Sequence, residues 1–134
     1  MQYLVIALGG AFGSMLRFFI GTTIDAAVTR STGPIFPWGT IIVNITGCFI
    51  IGFFATITSP GDGRIIASSL TRSFVMIGIL GGYTTFSSFS LQTLALAQDG
   101  QWGAAAANVL ISVVVCLLGV WLGAMLAGSL NQMR

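Results

Sequence analysis

The chain has 134 residues, 55% of them hydrophobic and only 6% charged, with a formal net charge of +2 from five arginines against three aspartates. Soluble domains carry about 25% charged residues, so this composition excludes a soluble globular protein and describes an integral membrane one. With no lysine, no histidine and scattered arginines, it also excludes a basic patch for nucleic acid or anionic lipid.

Charge-free runs cover residues 31–61, 73–98 and 100–133, each longer than the roughly 20 residues that span a bilayer. A fourth apolar run precedes Asp25. It has no basic residue ahead of it, so it reads as a first membrane helix over 2–24 rather than as a signal peptide. Gly9 and Gly13 form a G-x-x-x-G pair that lets another helix approach closely. Arg17 lies roughly 20 Å along this helix, deep in a hydrocarbon core of about 30 Å. Two readings are open for it: a side chain that snorkels to the far interface, or an interior arginine that pins helix ends or attracts an anion.

Asp25 to Trp38, with Gly33-Pro34 and Pro37, reads as a loop. The second span, 39–58, has one strongly polar side chain, Asn44, which must face another helix or a water-filled path. A helix-to-helix hydrogen bond and a ligand contact are both open. After a turn around Pro60-Gly61-Asp62-Gly63, the third span is predicted over 73–97.

The third span holds GILGGYTTFSSFS at residues 78–90, around which the chain is organised. Two adjacent glycines followed by two threonines make a poor helix interior, so a break is predicted near the middle of this span. Within hydrocarbon, a break survives only where protein or a polar cavity receives the freed backbone groups. Carbonyls released near Gly81 to Thr84 could hold a cation, or the glycines could serve a tight helix crossing; both readings are open. Beyond the break, Phe86 and Phe89 share one face and Ser87 and Ser90 another. The two rings are either packing residues or the edge-on wall of an anion path.

The short link 99–102 returns the fourth span, 103–127, antiparallel beside the third. Asn108, Ser112 and Cys116 form a mildly polar stripe on it, and Gly119 and Gly123 another close-packing pair. Cys48 and Cys116 lack any C-x-x-C or Cys/His spacing and read as small core residues. Four spans place both termini on one side. Arg64, Arg72 and Arg134 then fall on that side, against Arg30 on the other with Arg17 nearer to it. So weak a bias allows insertion in both orientations, and an inverted pair of subunits would complete a symmetric assembly.

All three aspartates fall in predicted loops and arginine does not deprotonate. The chain offers no nucleotide loop, nucleophile paired with histidine, or carboxylate dyad, so it is not read as an enzyme. A proton-coupled antiporter for cationic compounds normally needs a membrane carboxylate and is disfavoured; a non-conducting assembly subunit is a third class. For passive permeation the interior supplies neutral donors: Asn44, Thr84, Thr85, Ser87, Ser90, Asn108 and Ser112.

Three motifs then carry a resemblance. G-G-x-x-G-S-x-x-R-F at residues 9–18, G-T-x-x-V-N-x-x-G at 39–47 and G-G-Y-T-T-F-S-S-F-S at 81–90 resemble, in order and spacing, the Fluc (CrcB-type) fluoride channels. The resemblance covers all four spans. It implies an all-α membrane protein of the bacterial inner membrane that assembles as an antiparallel, dual-topology homodimer with two pores. It implies passive export of fluoride, relieving its toxicity in the cytoplasm. By the match, Asn44 is similar to the family's pore asparagine and Phe86 and Phe89 to its paired aromatics, with Ser87, Asn108 and Ser112 on the polar path. The backbone carbonyls of Gly81 and Thr84 correspond to those that hold a structural Na⁺ at the dimer centre, and Arg17 to a structural arginine. Two departures stand out: Gln92 where the family commonly has glutamate, and Cys116 in place of serine or glycine.

Overall fold

Among the described residues, four helical segments are long and apolar enough to cross a membrane: Gln2–Thr29, Trp38–Ile57, Ser69–Gln98 and Trp102–Gln132. They were analysed in a computed structural model that describes residues 1–32, 36–60, 63 and 65–133. The helices are α1 (Gln2–Thr32), α2 (Trp38–Ile57), α3 (Ser69–Arg72), α4 (Gly81–Tyr83), α5 (Phe86–Gln98) and α6 (Trp102–Gln132), with the wider turns of a π-helix over Ser73–Leu80. No strand is present among the described residues.

The first helix outruns its expected end at residue 24. It continues through Asp25 to Thr32, because Ala26, Ala27 and Val28 contain no breaker and alanine is the best helix former. Gly33-Pro34, the predicted stop, lies outside the described residues, as do Asp62, Arg64 and Arg134 and the side chain of Arg30, so the charge bias is not traced further. Asp25 is therefore helical rather than in a loop. Its Oδ1 accepts the Gly39 N–H at 2.7 Å, a carboxylate placed against the positive end of α2. The third segment also begins early, at Ser69, where the Ser68 hydroxyl accepts the Thr71 N–H at 3.1 Å and caps α3.

Lipid tails give no hydrophobic drive for helix association, so close packing must supply it. The glycines show where. A Cβ at Gly13 would strike the Ile79 carbonyl, and one at Gly9 would stand 2.8 Å from the Phe74 carbonyl. With Gln2 Nε2 donating to Ser73 Oγ at 3.1 Å and Ser14 Oγ to the Gly82 carbonyl at 3.4 Å, α1 runs parallel to the first half of the third segment. On the other side of the bundle, a Cβ at Gly123 would strike the Phe49 carbonyl and one at Gly52 the Val120 carbonyl. Asn131 Nδ2 donates to the Thr56 carbonyl at 3.1 Å, so α2 and α6 are also parallel, end to end.

The fourth segment thus packs chiefly on α2. It meets the third chiefly through α5, not along its whole length as the short link suggests. Arg72 ties the end of α2 to the start of the third segment. Its guanidinium donates to the Thr58 carbonyl at 2.7 Å and, more weakly, to the Ala55 carbonyl at 3.4 Å, and it also meets the Thr58 hydroxyl. These are the carbonyls the C-terminus of α2 leaves open.

Candidate functional site

The site forms where the third segment stops being helical. Thr84 (φ −80°, ψ 156°) and Thr85 (φ −151°, ψ 116°) are extended, between α4 and α5. Both are β-branched and carry a hydroxyl that competes for backbone bonds. Thr84 Oγ1 donates back to the Leu80 carbonyl at 2.9 Å, and Thr85 Oγ1 accepts the Ser88 N–H at 3.2 Å and caps α5. The glycines just before them stay helical. Gly82 serves a close crossing, since a Cβ there would stand 2.6 Å from the Gly10 carbonyl, whereas Gly81 is exposed and nothing but Met76 comes near its missing Cβ.

Asn44 receives the freed backbone. Its Oδ1 accepts the Thr85 N–H at 2.8 Å and its Nδ2 donates to the Thr85 carbonyl at 3.1 Å. In a continuing helix the Thr85 N–H would bond the carbonyl four residues earlier, that of Gly81. Its diversion to Asn44 takes that partner from Gly81. Of the two readings of Asn44, the helix-to-helix hydrogen bond is therefore made, while the second Nδ2 hydrogen stays available beyond it.

Beside this junction lies a cavity of about 320 Å³. Its polar wall is Asn44, Thr84, Thr85 and Ser112, its aromatic wall Phe86 and Phe89, and it is completed by Cys48, Val113, Cys116 and Leu117. The two rings have centroids 5.3 Å apart at 50°. Phe89 is buried, whereas Phe86 is 76% exposed. No charged side chain is among the described residues that line the cavity.

Among the sequence-derived candidates, Asn44, Phe86, Phe89 and Ser112 meet in this cavity. Ser87 and Asn108 do not line it. Ser87 is exposed, with its hydroxyl 3.2 Å from that of Thr85. Asn108 is 1% exposed; its Nδ2 donates to Thr93 Oγ1 at 2.8 Å and its Oδ1 accepts from Ser112 Oγ at 3.5 Å. It therefore reaches the cavity only through Ser112. Arg17 is half-buried and makes no hydrogen bond or ion pair among the described residues. The pinning of a helix end that was one reading of Arg17 is done by Arg72.

Two lining residues were read differently from sequence. Cys48 and Cys116 are not core residues but half-exposed free thiols on the cavity wall. They stand one turn beyond Asn44 and Ser112, and that i, i+4 spacing was the available signal. A second cavity, of about 360 Å³, opens at the end of the bundle between Asp25, Thr29, Gln92, Asp99 and Gln101. Gln92 Oε1 is buried on its wall without a hydrogen-bond partner among the described residues.

Comparison with known proteins gives a consistent answer. Residues 4–124 match the family described as CrcB-like protein, Camphor Resistance (CrcB). A protein of Opitutus terrae named fluoride-specific ion channel FluC is 54% identical over 132 residues, covering 98% of this chain and 96% of the relative. One of Rhodospirillum rubrum, of the same name, is 54% identical over 98% of both chains. A third, from Methylocella silvestris, is 48% identical over this whole chain and 98% of its own length.

Proposed function

The chain belongs to the CrcB family, and from that premise we propose that it is a fluoride-specific ion channel. It is a multi-pass membrane protein, not an enzyme. The observation that carries the reading is the cavity that joins Asn44, Phe86, Phe89 and Ser112 with neutral donors alone. Fluoride is small and strongly hydrated, so a narrow path must replace its water with hydrogen-bond donors. Conduction also requires binding weak enough to release the ion. Amide and hydroxyl donors and the positive edges of phenylalanine rings meet both demands, where a buried cation would trap the anion.

Conduction is passive and directed outward by the gradient of an anion toxic to the cytoplasm, across the bacterial inner membrane. The functional unit is an antiparallel homodimer of dual topology with two pores. Each third span is broken at Thr84-Thr85. In support of this, exposed Gly81 and Phe86, with half-buried Thr84 between them, offer a second copy both a backbone junction and an aromatic ring. In this assembly Ser87 and Asn108 extend the polar path beyond the cavity, and Arg17 finds its structural partner outside its own protomer.

At the dimer centre the backbone carbonyls of Gly81 and Thr84 from both subunits would hold Na⁺. The residues fit such an ion. Gly81 lacks its helical hydrogen-bond partner, and a carbonyl at the negative end of a half-helix suits a hard cation. The ion would supply a cross-link between the crossing segments and a fixed positive charge near the path.

A proton-coupled antiporter is not favoured. Among the described residues, the one carboxylate on a spanning helix near a cavity, Asp25, is engaged with the Gly39 N–H. The deciding experiment is fluoride efflux against chloride efflux from liposomes that contain the purified protein. Rapid fluoride efflux with little chloride efflux is expected. No fluoride flux above empty vesicles, from protein shown to be dimeric, would sink the proposal.

A further inference from the structure

Cys48 and Cys116 are placed together by the packing of α2 on α6. Around them α2 and α6 meet backbone to backbone: a Cβ at Gly119 would stand 3.3 Å from the Ile45 carbonyl and 3.8 Å from Cys48 Cβ. Gly119 follows Cys116 by one turn and Ile45 precedes Cys48 by one turn. Cys48 thus packs on α6 one turn from Cys116, and the two side chains are neighbours on one cavity wall. Both are free and half-exposed, and both face the same cavity as Asn44, Phe86 and Phe89.

The ligand set selects the metal. No group of three or more histidine, cysteine, aspartate or glutamate side chains that could hold a metal occurs among the described residues, so a four-coordinate zinc site is not on offer. Two sulfurs from adjoining helices on one cavity wall suit a soft cation that takes two ligands. In a spanning segment the product should also be uncharged. Two thiolates neutralise a divalent ion, whereas a monovalent one would leave a net negative charge.

We propose that Cys48 and Cys116 form a two-sulfur site for a thiophilic divalent d10 cation such as mercuric ion, and that its occupation closes the cavity. Each S–H loses its proton to solvent and each sulfur bonds the metal. The mercuric ion stays divalent, two protons are released, and no oxidant is needed. The closure rests on the channel reading of this cavity; the binding does not.

The test uses the full-length protein and mercuric chloride. In detergent, after washing with a monothiol, one mercury per chain should remain, with both cysteines protected from N-ethylmaleimide by intact mass. Cys48→Ser and Cys116→Ser should each lose their mercury in the same wash. Two mercury ions per chain, chains cross-linked through mercury, or single variants that hold the metal as the wild type does would overturn the site. Should a serine variant fail to fold, the wild-type stoichiometry and thiol protection decide alone. In liposomes, mercuric ion should reduce wild-type fluoride efflux at least tenfold relative to its own metal-free rate, reversibly with a dithiol. Undiminished efflux from protein holding one mercury per chain would overturn the closure. Absence of efflux before any metal is added would count against the channel reading and leave the mercury count to decide the site.

Discussion

Asn44 holds Thr85 by both of its backbone groups, with Oδ1 accepting the N–H at 2.8 Å and Nδ2 donating to the carbonyl at 3.1 Å. The pair turns an interruption of the third segment into a satisfied junction. It also sets the Asn44 amide on the wall of the cavity, so one residue serves both fold and path. Asn44→Asp keeps the acceptor, removes the donor and adds a negative charge where an anion would pass. Like charges 4 Å apart repel by about 4 kcal/mol at an effective dielectric constant near 20, so fluoride efflux should fall by more than tenfold. Wild-type efflux from a folded dimer of this variant would remove Asn44 from the path.

The two phenylalanines should separate by stability. Phe86 is 76% exposed and Phe89 only 8%. Phe86→Ile should suppress fluoride efflux and, since the ring packs little within its own protomer, should lower thermal stability less than a truncation at Phe89 does. Phe89→Ala should cost about 3 kcal/mol and lower the melting temperature in detergent. Equal melting temperatures would contradict this placement of the rings.

Helix contact through glycine makes a paired prediction. Gly13→Ala drives a methyl into the Ile79 carbonyl, while Gly21→Ala meets nothing within 4 Å. The first should destabilise by about 2 kcal/mol through overpacking, and the second should be neutral or stabilise by up to about 1 kcal/mol. Thermal unfolding of both variants checks the ranking, and a reversed order would mean that α1 does not cross the third segment here.

Arg72 stands where α2 ends. Arg72→Ala leaves the Thr58 carbonyl without its 2.7 Å donor, and an acceptor on a buried residue stripped of a charged partner costs about 2 kcal/mol. Arg72→Lys, which can meet one acceptor but not the whole set, should recover part of this. Both changes are read from thermal unfolding in detergent, and a full melting temperature in Arg72→Ala would show the contact to be idle.

Removal of Na⁺ tests the proposed dimer centre. Replacing it by N-methylglucamine should reduce fluoride efflux at least tenfold and shift the protein toward monomer on size exclusion. Dimer and efflux that persist unchanged would dispose of the bound ion.

Much of this was legible in the chain. The four spans follow from charge-free runs, since a bilayer tolerates few buried charges. The motif at residues 81–90 marked the third segment as special because glycine and threonine together are poor helix formers. The ends of the helices were less legible. Asp25 looked like a loop residue because acids usually lie outside spans, yet it sits on α1 and binds Gly39. That contact joins residues 14 apart, which no local pattern reports.

The sequence alone determined that this is a four-span membrane protein whose interior carries neutral donors, because composition and hydropathy act residue by residue. Only the tertiary structure decided how those donors are used. Asn44 meets Thr85 across 41 residues, and Arg72 rather than Arg17 closes a helix end. Cys48 and Cys116 face a cavity instead of a core. Each outcome depends on which helix packs against which, and the glycine contacts pair α1 with the third segment and α2 with α6. In lipid that choice rests on close backbone approach, a property of two surfaces together rather than of either segment alone.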